Sequence, residues 1–505
     1  MYDPTEDPTG EPAAGLGDWS PGKLHDEGIA LLDRLSAHFG SLDAQRVRPV
    51  DLSEDRISAP FLGPLPEQAT GFGALLDRTW RDVVPGLTQW NHPGHHAYFS
   101  NSSSGPAMLG ELFTAAFNVN VMVWESAPAA AAVERQTLGW LADLCGLPWP
   151  DADSILVDGA SLATCYALCA ARQRLDTHNW REEGAAGGPR LRVYCTDQTH
   201  SSIGKAAIAL GIGTHNVVQL PADDGILSPS RLRRAIRADR SRGFLPLAVV
   251  ANFGTTNVAA VDPVEEITEV CREEGLWLHV DAAYGGFWRI VPEIAEVLPS
   301  LAGADSVVAN PHKVLFCPME ASALFVRHPG ALRETFSLVP EYLRTATDED
   351  RLDHMNYSLQ LGRQFRALKV WWVLQSFGRA GLRSRLRFAV HLAETLIEKV
   401  AEHPHWRLAH RSPLPLVTLV YDDPGLGPER SDRVAEQVQR LVNAEGTSAI
   451  SHTRYGGRYA LRVSIGNIHT AHRHVESLWE SIRRAEQNVL EGVGSGSHDR
   501  EPVLG

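Results

Sequence analysis

The sequence predicts an α/β fold: a doubly wound, mostly parallel sheet followed by a smaller α+β domain. Two observations carry this. From about Glu111 to Val326, short apolar runs bounded by Gly, Asp or Pro alternate with stretches of helical periodicity. The runs are continuously apolar rather than alternating, which is how strands covered on both faces of a parallel sheet read. Alternation sustained over roughly 200 residues is the pattern of a doubly wound sheet.

The elements follow in order. Residues 1–21 are rich in Pro, Gly, Asp and Glu and are expected to be disordered. Residues 22–110 open with GKLHDEGIALLDRLSAHF, where Ile29, Leu32 and Leu35 fall at helical spacing. That is an amphipathic arm with one sticky face, expected to pack on another subunit. The large domain is expected over 111–380. Its strand candidates are SILV (154–157), RVYC (192–195), LAVVANF (247–253), LWLHVD (276–281), SVVAN (306–310) and SALFV (322–326). The smaller α+β domain, 381–486, carries the helix RLRFAVHLAETLIEKVAEH, the strands PLVTLVY and YALRVSI, and the helix AHRHVESLWESIRRAEQ. A second disordered tail is expected over 487–505.

Composition narrows the function. The chain has 505 residues, 44% hydrophobic and 21% charged, as in ordinary globular proteins. No apolar run approaches the roughly 18–20 residues of a membrane helix. The N-terminus has no basic segment followed by an apolar one, so no secretory leader is expected. The six cysteines form no CxxC pair, and Cys165 and Cys169 lack the further thiols or imidazoles a zinc ion needs. Free thiols, no metal and a reducing cytoplasm are expected. With a net charge of −14 and no Lys/Arg cluster, nucleic acid is not expected as a partner.

In open α/β sheets, ligands bind beyond the carboxyl ends of the strands, so the residues after each apolar run matter most. After SILV, Gly159-Ala160-Ser161 opens a helix, where free N–H groups and the helix dipole suit a phosphate; a plain N-cap serine is the simpler alternative. After RVYC comes His200, which alone would read as a structural hydrogen-bonder. After LAVVANF come Thr255 and Thr256, alone a turn. Asp281 ends LWLHVD, and His312 and Lys313 follow SVVAN; alone, Asp281 and Lys313 would read as a salt bridge. Together the set fits pyridoxal phosphate. Its phosphate wants a helix N-terminus, its aldehyde a lysine amine, its pyridine nitrogen a carboxylate, and its ring a flat stacking partner.

GASLAT, DQTHSS, NFGTTN, HVDAAYGG and NPHK, in this order and spacing, resemble the group II pyridoxal-phosphate-dependent amino-acid decarboxylases. Within that group the chain is most similar to the aromatic-L-amino-acid decarboxylases. WNHPGHHAYFSNSSSGPAMLGE resembles that family's substrate-side loop, and YLRT, LGRQFRALKVWW and LRVSIGN match later landmarks, over residues 22–485. The resemblance implies the fold-type I architecture, a seven-stranded mostly parallel sheet with helices on both faces. It implies that Lys313 is the Schiff-base lysine, that Asp281 partners the pyridine nitrogen, and that His200 stacks on the ring beside the substrate carboxylate. Ala283 then packs on the other face, Ala160, Ser161, Asn310 and His312 bind phosphate, and Thr256 lies near the cofactor hydroxyl. Tyr342 matches the tyrosine of the mobile catalytic loop. The chain departs from the pattern at Gly159, where the aromatic decarboxylases carry serine, at Leu162, where they carry glutamate, and at Gly94-His95-His96, which replaces bulkier aromatics.

The implied reaction is decarboxylation of an L-amino acid to its amine and CO2, at the subunit interface of a homodimer. Trp90, Tyr98 and Phe99 suggest an aromatic substrate, with Ser100 beside them. An acidic substrate would need an arginine that the loop itself lacks. The alternatives are an aliphatic substrate, a decarboxylation-dependent aldehyde synthase, an aminotransferase, or a non-catalytic cofactor-binding relative.

Overall fold

The structure, a computed structural model, describes residues 18–175, 177–338 and 352–494. The chain divides into two compact units, Met1–His92 and Pro93–Gly505.

In the first unit the main element is the helix Pro21–Gly40. Ser20 caps it, its hydroxyl accepting from the Lys23 N–H at 3.2 Å, and Pro21 supplies a pre-set first turn. None of its residues is buried within the chain. Of the apolar stripe read from the sequence, Ile29 and Leu32 are exposed and Leu35 is half-buried, and Leu24 on the same helix is exposed too.

The second unit is built on a seven-stranded sheet. Its strands are β1 (Asp153–Val157), β2 (Leu191–Thr196), β3 (Val217–Leu220), β4 (Leu245–Asn252), β5 (Trp277–Asp281), β6 (Ser306–Ala309) and β7 (Ser322–Val326). The spatial order is β1-β7-β6-β5-β4-β2-β3. The ladders from β6 through β3 are parallel, while β7 runs antiparallel to both β6 and β1. Six strands therefore share one direction and end on one rim. All six apolar runs form strands; β3 (VVQL) escapes the pattern because it is an edge strand and only half-buried. The second sheet contains β8 (Trp406–His410), β9 (Leu416–Tyr421), β10 (Ser451–Tyr455) and β11 (Arg458–Ser464), ordered β10-β11-β9-β8 and antiparallel throughout. Its outer strands β8 and β10 are mostly half-buried and polar, and have no apolar signature.

The helix Ala160–Gln173 packs on the sheet through a buried face that includes Ala163, Ala167 and Ala170, small enough for close approach. Gly285, after β5, is required for another: a Cβ there would collide with the Phe253 carbonyl at the end of β4. This contact holds two neighbouring strand ends together at the rim.

As an edge strand, β1 has backbone groups that no neighbour can pair. Buried charges do so instead. Glu134 Oε1 accepts from the Leu156 N–H at 3.1 Å, and Arg363 Nη2 donates to the Leu156 carbonyl at 2.8 Å. The two side chains pair with each other at 2.8 Å, and His354 Nε2 lies 3.6 Å from the same carboxylate. Burial pushes the Glu134 carboxyl up, but Arg363, His354 and the Leu156 N–H outweigh it and hold the group below its usual range. The pairing thus contributes stability at neutral pH and loses it as pH falls through that depressed range. Glu134→Ala, which strands a buried guanidinium, is expected to cost about 3–5 kcal/mol. Urea unfolding measures this, and a midpoint like the parent's would mean that Arg363 has a second counter-charge.

Candidate active site

Where the parallel strands end, the rim encloses a cavity of about 240 Å³. Of the residues singled out in the sequence, Ala160, Ser161, His200, Thr256, Asp281, Ala283, Asn310, His312, Lys313 and Phe99 all line it. Trp90, Tyr98 and Ser100 do not. Trp90 belongs to the first unit, Tyr98 is 60% exposed, and Ser100 is buried among core residues. Tyr342 lies outside the described residues.

Each wall has a physical cause. Gly159 precedes the helix Ala160–Gln173, and no side chain caps that helix. Ala160 and Ser161 are its first residues, so their N–H groups have no intrahelical acceptor; the next two, of Leu162 and Ala163, turn back to the Gly159 carbonyl. Two donors and the positive end of the dipole thus face the cavity. Opposite, the Asn310 side chain sits 3.4 Å from His312 Nε2, and its Oδ1 is buried without a partner. Burial pushes the His312 imidazole down to about 4, helped by the Lys313 and Lys369 charges, so the ring is neutral near pH 7. Its Nδ1 lies 2.6 Å from the Ala321 carbonyl, which fixes the ring.

Asp281 ends β5 and accepts from the Ala283 N–H at 3.1 Å. Lys313 stands with its Nζ 4.8 Å from the centre of the Phe99 ring. Asp281 and Lys313 line the same cavity but form no ion pair with each other, so the simple salt-bridge alternative is not what the chain builds. Burial lowers the Lys313 pKa; Asp281 opposes this and Arg462 adds to it. A lysine so placed has more of its neutral, nucleophilic form. His200 Nδ1 accepts from the Ser202 N–H at 3.2 Å, which leaves Nε2 to carry the proton. Burial pulls the His200 pKa down, against the nearby Asp281 charge.

Tyr284, Asn252, Gly254 and Met319 are walls that the sequence did not single out; Tyr284 stacks on Phe99 at 4.0 Å between ring centres, and Thr255, which follows LAVVANF, completes the lining. Thr255 is occupied in its turn, its hydroxyl accepting from the Ala260 N–H at 3.0 Å. Arg462, on β11, has its guanidinium carbon 4.4 Å from the Phe99 ring centre and donates through Nε to the Thr256 carbonyl at 2.7 Å. It also donates to the Tyr98 carbonyl, while its Nη2 is buried without a partner. Burial pushes its pKa down to about 10, so it stays cationic at neutral pH. An arginine thus stands beside the loop from 364 residues away in sequence, although it does not line the cavity.

The arrangement fits pyridoxal phosphate. Two unpaired groups of opposite charge face a shared space, the Asn310 oxygen lacks a partner, and open N–H donors stand at a helix start. Among the described residues no cluster of side chains could hold a metal ion.

Residues 63–422 match the pyridoxal-dependent decarboxylase conserved domain. The chain is 32% identical over 496 residues to phenylacetaldehyde synthase of Rosa hybrid cultivar, covering 93% of this chain and 95% of that one. It is 32% identical over 436 residues to a tryptophan decarboxylase of Camptotheca acuminata, covering 84% and 86%. The structure matches that of Oryza sativa TDC with PLP and tryptamine with a TM-score of 0.89 at 28% identity, over 94% of this chain and 99% of that one.

A Cβ at Gly159 would meet nothing within 4 Å, and the backbone there is extended, a conformation any residue adopts. Gly159→Ser is therefore expected to add a hydroxyl donor at the helix start without strain. Cofactor affinity, measured by fluorescence titration of the apoprotein, should rise several-fold, about the worth of one hydrogen bond. Unchanged or weaker binding would place the phosphate elsewhere.

Proposed function

The chain belongs to the pyridoxal-dependent decarboxylases, and from that premise we propose that it converts an aromatic L-amino acid to its amine and CO2, with Lys313 and Asp281 as the poles of the site. The carrying observation is that these two charges line one cavity unpaired, beside an uncapped helix start. Pyridoxal phosphate, when bound, supplies an electron sink for the pair released as CO2 leaves. The roles of the protein's groups follow from their chemistry. Lys313 would offer the amine that anchors the cofactor aldehyde, and Asp281 would keep a proton on its ring nitrogen. The Ala160 and Ser161 N–H groups, with Asn310 and His312, would take the phosphate. Ala283 and His200 would hold the ring between them, with Thr256 toward its hydroxyl, and His200, with its proton on Nε2, would orient the substrate carboxylate. Tyr342 would be the proton donor to the carbon that loses CO2, which would favour an amine over an aldehyde.

An aromatic side chain is supported by Phe99, stacked on Tyr284, and by relatives named for phenylacetaldehyde synthesis and tryptophan decarboxylation. Trp90, Tyr98 and Ser100 remain candidates for the substrate side, although none lines the cavity. One observation favours a second reading: the unpartnered Nη2 of Arg462 would suit an acidic side chain. We further propose a cytoplasmic homodimer. The uncovered Leu24, Ile29 and Leu32 of the arm, and Leu109, Leu112, Phe113 and Phe117 of the helix Gly105–Phe117, call for a partner surface. Six free cysteines agree with a reducing compartment.

Turnover across aromatic, branched and acidic amino acids, followed by CO2 release, tests the substrate class. Turnover confined to glutamate or aspartate would overturn the aromatic reading in favour of Arg462. Lys313→Ala should abolish both the yellow colour of the purified protein and turnover. Tyr342→Phe should divert product toward aldehyde, ammonia and hydrogen peroxide with O2 consumed; an unchanged amine yield would remove Tyr342 from the proton step.

A further inference from the structure

One fully buried imidazole joins three of the elements that line the cavity, without lining it itself. His279 lies on β5, two residues before Asp281, and is 0% exposed. Its Nδ1 is 2.9 Å from Ser306 Oγ, at the start of β6, the strand that leads to Asn310 and Lys313. Its Nε2 is 3.1 Å from Thr164 Oγ1, one turn into the helix that begins at Ala160 and Ser161. Side chains two apart on a strand share a face, so His279 and Asp281 point to the same side of the sheet.

Trp277 Nε1 can only donate, and it does so to Ser306 Oγ at 2.8 Å. The same oxygen lies within hydrogen-bond distance of His279 Nδ1, and Thr164 Oγ1 within that of Nε2, so the ring is bonded through both nitrogens. Burial pushes the His279 pKa down to about 4, against the Asp281 charge, so the ring stays neutral at working pH.

A buried polar side chain on a central strand costs more than the valine or leucine that would fill the same space, unless its hydrogen bonds are all made. Here they are made, and to elements that must agree in position. We propose that His279 is a positioning residue for the cofactor: it sets the spacing between the strand that carries Asp281, the strand that leads to Lys313, and the helix start that takes the phosphate. The role rests on the cofactor reading above. A buried network that merely stabilises the fold is the competing explanation.

His279→Phe keeps the ring volume and removes both nitrogens. The measurements are the dissociation constant of pyridoxal phosphate from the refilled apoprotein, the visible circular dichroism of the bound cofactor, and the unfolding midpoint of the apoprotein. The expected result is cofactor binding weakened about tenfold or more, with a reduced visible dichroism, and His279→Gln recovering part of both. If binding and dichroism stay at the parent's values while the apoprotein midpoint falls, the network is structural only and the proposal is overturned. Should His279→Phe fail to fold, Thr164→Val and Ser306→Ala remove one arm each. Weaker binding in both supports the proposal, and parental binding in both overturns it. A parent protein that bound no pyridoxal phosphate would instead sink the cofactor reading itself.

Discussion

The common direction of six strands is the constraint on which the site depends. Each strand exits at the same rim, and five of the six deliver their next residues to one place: Gly159 to Ser161 after β1, His200 after β2, Thr255 and Thr256 after β4, Asp281 at the end of β5, Asn310 to Lys313 after β6. Segments far apart in the chain converge without any long loop having to find its place. The antiparallel β7 does not disturb this. It fills the space between β6 and β1, so the helix start after β1 keeps its distance from the lysine after β6.

An acid and a lysine facing one cavity unpaired is an unfavourable arrangement for an empty core. Each charge is partly removed from water, and neither has the partner that would offset this. Direct contact would relieve both charges but would close the space between them. The strands hold them apart, and the glycine at 285 lets the turn after β5 approach β4 closely enough to keep Asp281 at its post. A group with an electrophilic carbon at one end and a basic nitrogen at the other would suit both, the carbon meeting the neutral amine that burial favours at Lys313 and the nitrogen meeting the Asp281 carboxylate.

Much of this was legible in the sequence, for a physical reason. Strands covered on both faces must be apolar throughout, so β1, β2, β4, β5, β6 and β7 announce themselves, and the polar residues that end them stand out by contrast. β3, β8 and β10 are edge strands with one side in water, and half-polar pentapeptides such as SHTRY carry no such contrast. The substrate side was harder. WNHPGHHAYFSNSSS shows three aromatics in a row of candidates, but only the backbone decides which one turns inward. Tyr98 adopts a positive φ of 57°, leaving its side chain exposed, and Phe99 takes the wall. Arg462 could not be found at all by reading the loop, because its place beside Phe99 is set by the pairing of β11 with β9 and β10.

The edge strand β1 shows how far support for the site extends beyond its lining. A strand at the end of a sheet is the least restrained, yet β1 leads directly into the helix start. Glu134 and Arg363 supply the pairing that a neighbouring strand would have given Leu156. One step further along, Asp158 accepts from Gln360 Nε2 at 2.5 Å and forms an ion pair with Arg366. The second contact matters electrostatically. A carboxylate immediately before a phosphate-type turn repels the very anion that the turn should attract, and the guanidinium of Arg366 offsets it. The residues from 354 to 366 therefore act as a substitute strand and a counter-charge together. The cavity depends on them although none of them touches it.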